Sequence, residues 1–199
     1  MFFIQLLTVL YMFTAVRAST RLGNSTAVVP SPNLVPIAHM GNVASVQITT
    51  GDTRIFFQDS TGAITSGRIT APILGGGTYA PIRAFIPASE VLPNTPIVTI
   101  TANTATYTGI RVYFFSPENV LSEYIWAPTT GFSGGPSCTK CLTAQGIVVQ
   151  NGSEVLYAMV NTAFNQFRVG FVSAGQPATI SEAENLGGGW GGCCICLKA

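Results

Sequence analysis

The chain has 199 residues, of which 47% are apolar and only 9% charged, with nine Lys and Arg, eight Asp and Glu, and a single His. An ordinary soluble domain carries roughly 25% charge. So few cations exclude a nucleic-acid binder, which needs a basic face to release counterions, and high apolar content at near-zero net charge excludes disorder.

In chain order, Phe2 to Val16 is apolar apart from Gln5 and two Thr, and Val16 and Ala18 stand at −3 and −1 of a cleavage site. This predicts a signal peptide over residues 1–18 and a secreted, extracellular product. The alternative is a short anchor, because no Lys or Arg precedes the apolar run; the run is shorter than the roughly 18–20 residues of a span. No later segment is apolar enough to cross a bilayer, so no membrane partner is expected. Removal of Arg17 leaves eight basic and eight acidic residues. Two N-glycosylation sequons, at Asn24 and Asn151, fit a secreted glycoprotein.

Twenty-one Gly and twelve Pro predict many turns, hence many short strands in one domain. A repeat of 57 residues organises residues 19–190. Arg54-Ile-Phe-Phe-Gln-Asp59, Arg111-Val-Tyr-Phe-Phe-Ser116 and Arg168-Val-Gly-Phe-Val-Ser173 align, with Phe57, Phe114 and Phe171 in a shared slot. Each Arg strand enters a hairpin. Gly62 and Asn119 occupy one slot, and both tolerate a left-handed backbone, which predicts a three-residue loop closed by a G1 bulge. Ser116 then opposes Val120, Tyr113 opposes Glu123, and Arg111 opposes Ile125. Alternation puts Arg111, Tyr113 and Glu123 on one face. In the third repeat the turn is expected to be two residues longer, with Glu182 in the Glu123 slot. Strand-like runs at Ala44–Thr49, Ile97–Thr101 and Val155–Val160 precede the Arg strands. The expected fold is therefore all-β: a β-propeller of four-stranded blades, about three repeats long. The third repeat is expected to stop near Trp190, before its last strand, and residues 19–42 to supply that strand. Residues 191–199 are read as a Cys-rich tail.

The second repeat, from Ile110 through Arg111, Tyr113, Glu123 and Trp126 to Gly131-Phe132, resembles the blade signature of the fungal fucose-specific lectins, the six-bladed propeller family of the orange-peel mushroom lectin type. The resemblance implies pockets between adjacent blades, where Arg and Glu hydrogen-bond fucose hydroxyls and the ring oxygen and aromatic side chains pack on the sugar's apolar face. Carried over, it groups Arg111 and Glu123 with Trp126 and with Phe132, which stands where the family has Trp. It groups Arg168 and Glu182 with Trp190. The first repeat keeps Arg54 but has Ser66 at the Glu position and no following aromatic, so its site is expected to be dead or weak. The implied partners are fucosylated glycans, and two chains would complete a six-bladed ring as a homodimer. Physically, an Arg fork and a Glu suit neutral hydroxyls and an aromatic ring suits the C–H face. The competing account of the same pair is a structural cross-strand ion pair.

Enzymatic readings are weaker. Gly131-Phe-Ser-Gly-Gly-Pro136 resembles the surroundings of a trypsin-like Ser nucleophile, with His39 and Asp52 or Asp59 as partners of Ser133. Phe132 replaces the expected Asp, and the segment fills the repeat slot of Gly189-Trp190. No carboxylate pair recurs as a glycosidase needs. The five Cys (138, 141, 193, 194, 196) are expected to oxidise, leaving at least one unpaired within the chain; a zinc site is the sharper alternative. No cofactor is expected. The conclusion from sequence is a secreted, non-enzymatic lectin, with a degenerate non-binding propeller or secreted scaffold as the alternative.

Overall fold

The computed structural model describes residues 37–38, 42–70 and 78–196, with the backbone alone at 78–79, 81–82 and 192–196. The signal peptide, the Asn24 sequon, most of residues 19–42, and His39 fall outside the described residues.

Among the described residues, twelve strands form three four-stranded antiparallel sheets, each a simple meander. Blade 1 contains β1 (Val43–Gln47), β2 (Thr53–Gln58), β3 (Ile64–Thr70) and β4 (Thr78–Ile86). Blade 2 contains β5 (Val98–Thr101), β6 (Ile110–Phe115), β7 (Leu121–Ala127) and β8 (Gly131–Gly134). Blade 3 contains β9 (Leu156–Val160), β10 (Phe167–Ser173), β11 (Gln176–Asn185) and β12 (Trp190–Cys196). The first strands of successive blades touch, β1 against β5 and β5 against β9. This is the blade arrangement of a β-propeller. The only helical pieces among the described residues are short 3-10 turns, at Ala88–Glu90, Gly135–Ser137 and Leu142–Gln145.

The hairpins take the expected form. Asn119 has φ +58° and Gly62 φ +93°, and Ser116 and Val120 close the second turn through a 2.9 Å backbone bond. In blade 1 the carboxylate of Asp59 accepts from the amides of Thr61 (2.8 Å) and Ala63 and from the Thr61 and Thr65 hydroxyls. Burial pushes its pKa up, but these four donors outweigh burial and hold it below the ordinary Asp value.

Apolar packing fills the two junctions. Strand β6 is apolar on both faces because it is covered on both: Ile110, Val112 and Phe114 enter the core against blade 1, while Tyr113 and Phe115 enter the core against blade 3. The repeat-slot residues behave alike, Phe114 facing back to blade 1 and Phe171 back to blade 2.

Two expectations are corrected. Blade 3 has its own fourth strand: β12 pairs with β11 from Asn185↔Trp190 to Ser181↔Cys196. Residues 191–196 are therefore sheet and not tail, and the place reserved for a borrowed N-terminal strand is taken. The longer third turn is also absent. β10 and β11 extend instead, to a tight turn at Ala174-Gly175 with Ser173 paired to Gln176, and the surplus is absorbed as an irregularity between Phe171 and Ser173.

Candidate functional site

The repeat places an arginine at the same position of each blade's second strand, and alternation points it towards the following blade. The surroundings of the three differ.

At Arg111, the cross-strand pairing Tyr113↔Glu123 puts the arginine and the carboxylate on one face. Arg111 Nη1 donates to Glu123 Oε1 at 2.5 Å. The other carboxylate oxygen accepts from the Leu142 amide at 2.7 Å and from Trp190 Nε1 of blade 3 at 2.9 Å. The guanidinium lies 3.8 Å over the ring of Phe167, also from blade 3. Glu123 is fully buried and the Arg111 side chain is 16% exposed. Burial, and then the Glu123 carboxylate, push the Tyr113 hydroxyl well above its ordinary pKa. This station is covered: Trp190 and Phe167 of blade 3 pack on the Arg111–Glu123 pair, and the carboxylate accepts from Arg111, the Leu142 amide and Trp190.

At Arg54 the junction stays open. Ser66 opposes Phe56 in the slot that holds Glu123 in blade 2. Arg54 and Arg68 are direct cross-strand neighbours. Arg68 donates to Asp52 at 2.7 Å, and Arg54 lies 5.1 Å from the ring centroid of Tyr107. Burial first, then Arg68, lower the Arg54 pKa. Blade 2 supplies the opposite wall with Trp126, Phe132 and Ile110, enclosing a pocket of about 200 Å³ that Arg83 also lines. Phe132 is held by stacking on Phe85 at 3.8 Å between centroids, and Trp126 meets the Tyr107 ring edge-on.

At Arg168 no blade follows among the described residues. The side chain is half exposed and pairs with Glu184 at 2.9 Å and Glu182 at 3.6 Å. Tyr157 donates to Glu182 at 2.6 Å; burial and that carboxylate push its pKa up to about 12. Gly170 stands in the Tyr113 slot, and a Cβ there would strike the Tyr157 ring. The ring thus fills from β9 the space that Tyr113 fills from β6. Arg168, Met159 and Leu186 line a shallow depression on this face.

Both Arg–Glu pairs expected from the repeat are present, Arg111 with Glu123 and Arg168 with Glu182, and Ser66 stands at the acid position of blade 1. The aromatic partners are corrected. Trp126 and Phe132 do not accompany Arg111 and Glu123; they line the Arg54 pocket. Trp190 does not accompany Arg168 and Glu182; it binds Glu123. The reason is alternation. Trp126 opposes Ile110, one residue from Arg111, and so faces the preceding blade. The aromatics of blade 2 therefore face the arginine of blade 1, and the first-repeat station, expected to be dead or weak for want of both a Glu and a following aromatic, lacks the Glu but has aromatics across an open pocket. Sequence reading missed Arg68, Arg83 and Phe167. Counting outwards from the Asp59–Ala63 turn would have paired Arg68 with Arg54, but no local signal marks Phe167.

Of the protease-like residues, the two described aspartates are engaged elsewhere. Ser133 is exposed on β8 opposite Ile125, Asp59 is committed to its turn, and Asp52 to Arg68. Cys138 and Cys141 form a disulfide in the β8–β9 connection, one residue before the Leu142 amide that binds Glu123. No group of three or more metal-ligating side chains occurs among the described residues.

No protein-family model matches the chain, and no curated protein matches it. Solved structures do. AofleA from Arthrobotrys oligospora superimposes with a TM-score of 0.64 at 21% identity, over 81% of this chain and 43% of its own. The lectin of Aleuria aurantia, described as a six-bladed β-propeller with a novel mode of fucose recognition, gives 0.60 at 20% identity, over 83% of this chain and 50% of its own. The lectin BP39L from Burkholderia pseudomallei gives 0.57 at 18% identity, over 84% and 44%. At this identity the likeness shows the fold, a β-propeller of the kind found in fucose-specific lectins. The chain spans half or less of the length of these structures.

Proposed function

We propose that this chain is a secreted carbohydrate-binding protein that takes fucose-containing glycans in pockets between its blades, and that the pocket between blades 1 and 2 is its working site. One observation carries the reading: Arg54 from one blade faces Trp126 and Phe132 from the next across an open pocket of about 200 Å³. A sugar needs that pairing of hydrogen-bonding fork and apolar ring. The fold shared with fucose-binding lectins supports it by analogy. Asn151, exposed in a turn ahead of Gly152, is the glycosylation site expected of the secreted product. Arg168, paired with Glu182 and Glu184, presents the arginine side of a junction on an exposed face, and we propose that a second copy of the chain supplies the facing wall in a six-bladed ring.

Glycan-array binding and light scattering on one preparation test both parts. Arg54→Ala should abolish binding, Arg111→Ala should leave it, and the particle should have twice the chain mass. Absence of binding to any glycan overturns the lectin reading; a stable monomer overturns the ring. A second reading, a propeller whose sites have become packing, is favoured at one station by the fully buried Glu123 under Trp190.

A further inference from the structure

The chain carries few cations, and they are unevenly distributed. Of the six Lys and Arg among the described residues, Arg54, Arg68 and Arg83 line a single pocket. Arg111 and Arg168 each face a glutamate of their own blade. In blade 1 that glutamate is Ser66, and the residues lining the pocket include no carboxylate among the described residues. Asp52 pairs with Arg68 at 2.7 Å and also attracts Arg54, so the single charge of this carboxylate is shared between two of the three guanidinium groups. Arg54 and Arg68 are directly opposed like charges, an arrangement that is destabilising unless something sits between them. Arg68 Nε is buried without a hydrogen-bond partner.

We infer that the pocket between blades 1 and 2 is built for an acidic saccharide, a sugar bearing a carboxylate or a sulfate, in preference to a neutral one. The inference rests on the glycan-binding reading above and names the class of glycan. Planar guanidinium forks match the paired oxygens of a carboxylate or sulfate and hold them by charge-assisted bonds. Trp126 and Phe132 on the opposite wall take the apolar face of the same ring. The volume, below the roughly 300–1,000 Å³ of pockets for drug-sized ligands, suits one ring with its acid group. In the lowering of the Arg54 pKa, Arg68 comes next after burial; a bound anion would cancel that repulsion.

The test uses the full chain and three oligosaccharides: a neutral fucosylated one, its sialylated counterpart and its sulfated counterpart, titrated calorimetrically. One acidic arm or both should bind at least about tenfold tighter than the neutral arm at low salt, the factor expected of one charge-assisted bond. That advantage should largely vanish as salt rises from about 0.01 to about 1 M and the screening length falls from about 30 to about 3 Å. The tighter acidic arm identifies the anion. Arg83→Gln, at an exposed position, should cut the acidic preference by about tenfold. Ser66→Glu, which restores the acid of the other blades, should reverse the preference towards the neutral sugar. Equal, salt-insensitive binding of all three arms overturns this inference and leaves the glycan reading standing. Binding of none, in a chain that still takes up inorganic sulfate, overturns both.

Discussion

The junction between blades 1 and 2 and the junction between blades 2 and 3 begin with the same arginine slot and reach opposite ends. In the first, two arginines oppose each other, serine stands in the acid slot, and the aromatics of the next blade line a pocket. In the second, one arginine is matched by Glu123, whose fully buried carboxylate also accepts from the Trp190 indole and the Leu142 amide. A carboxylate in this slot recruits protein donors when the following blade offers them, and a serine does not. Whether a junction stays open is thus set less by the arginine than by what the next blade does with the space.

The contrast can be broken most forcefully at Glu123. Glu123→Ala strands Arg111, Trp190 Nε1 and the Leu142 amide in the core, and should lower stability by about 3–5 kcal/mol, measured by urea denaturation. Ser66→Ala at the equivalent slot should change it by less than about 0.5 kcal/mol.

The hairpin turns extend the comparison. Blade 1 closes on the Asp59 carboxylate, whereas blade 2 uses the Ser116 hydroxyl, which accepts from the Val120 amide at 3.2 Å. Because the Asp59 pKa is lowered on folding, its contribution is present above the unfolded value near 3.9 and is lost as pH falls through the folded value. Asp59→Asn should therefore be less stable than the parent at pH 7, by about 1–2 kcal/mol. It should also lose less on acidification through that window, read as the difference in urea midpoint between the two pH values. An unchanged acid sensitivity would assign the loss to other carboxylates.

The smallest effect has the opposite sign. Arg54→Gln removes a like-charge neighbour of Arg68 and should raise stability by about 0.2–1 kcal/mol, while Arg111→Gln should lower it. A loss at both positions would mean that the two junctions are electrostatically alike after all.

Much of this was legible beforehand. The 57-residue period, the left-handed residues at Gly62 and Asn119, and the pairing of Tyr113 with Glu123 follow from local rules of turn and alternation. Grouping Trp126 with Arg111 failed against that same rule: adjacent Ile125 and Trp126 cannot share a face, and Ile125 opposes Arg111. Strand β12 was illegible because Gly191-Gly-Cys-Cys-Ile-Cys196 has neither alternation nor a β-branched run beyond Ile195. The closure over Glu123 was illegible for another reason. Its donors lie 19 and 67 residues away, and no window along the chain brings them together.

Because β12 completes its own sheet, every described blade is a contiguous meander, and between blades the described backbone pairing is limited to single bonds and isolated bridges, such as Thr49 N–H to the Thr104 carbonyl and the bridges Val120↔Val148 and Val149↔Ser173. Adding or removing a repeat would disturb the junctions at its two faces and these few backbone bonds, and would leave the four-stranded ladders intact. The architecture can therefore change length by tandem duplication, one 57-residue unit at a time, and each new copy can drift towards a covered or an open junction without altering the four-stranded ladders of its neighbours.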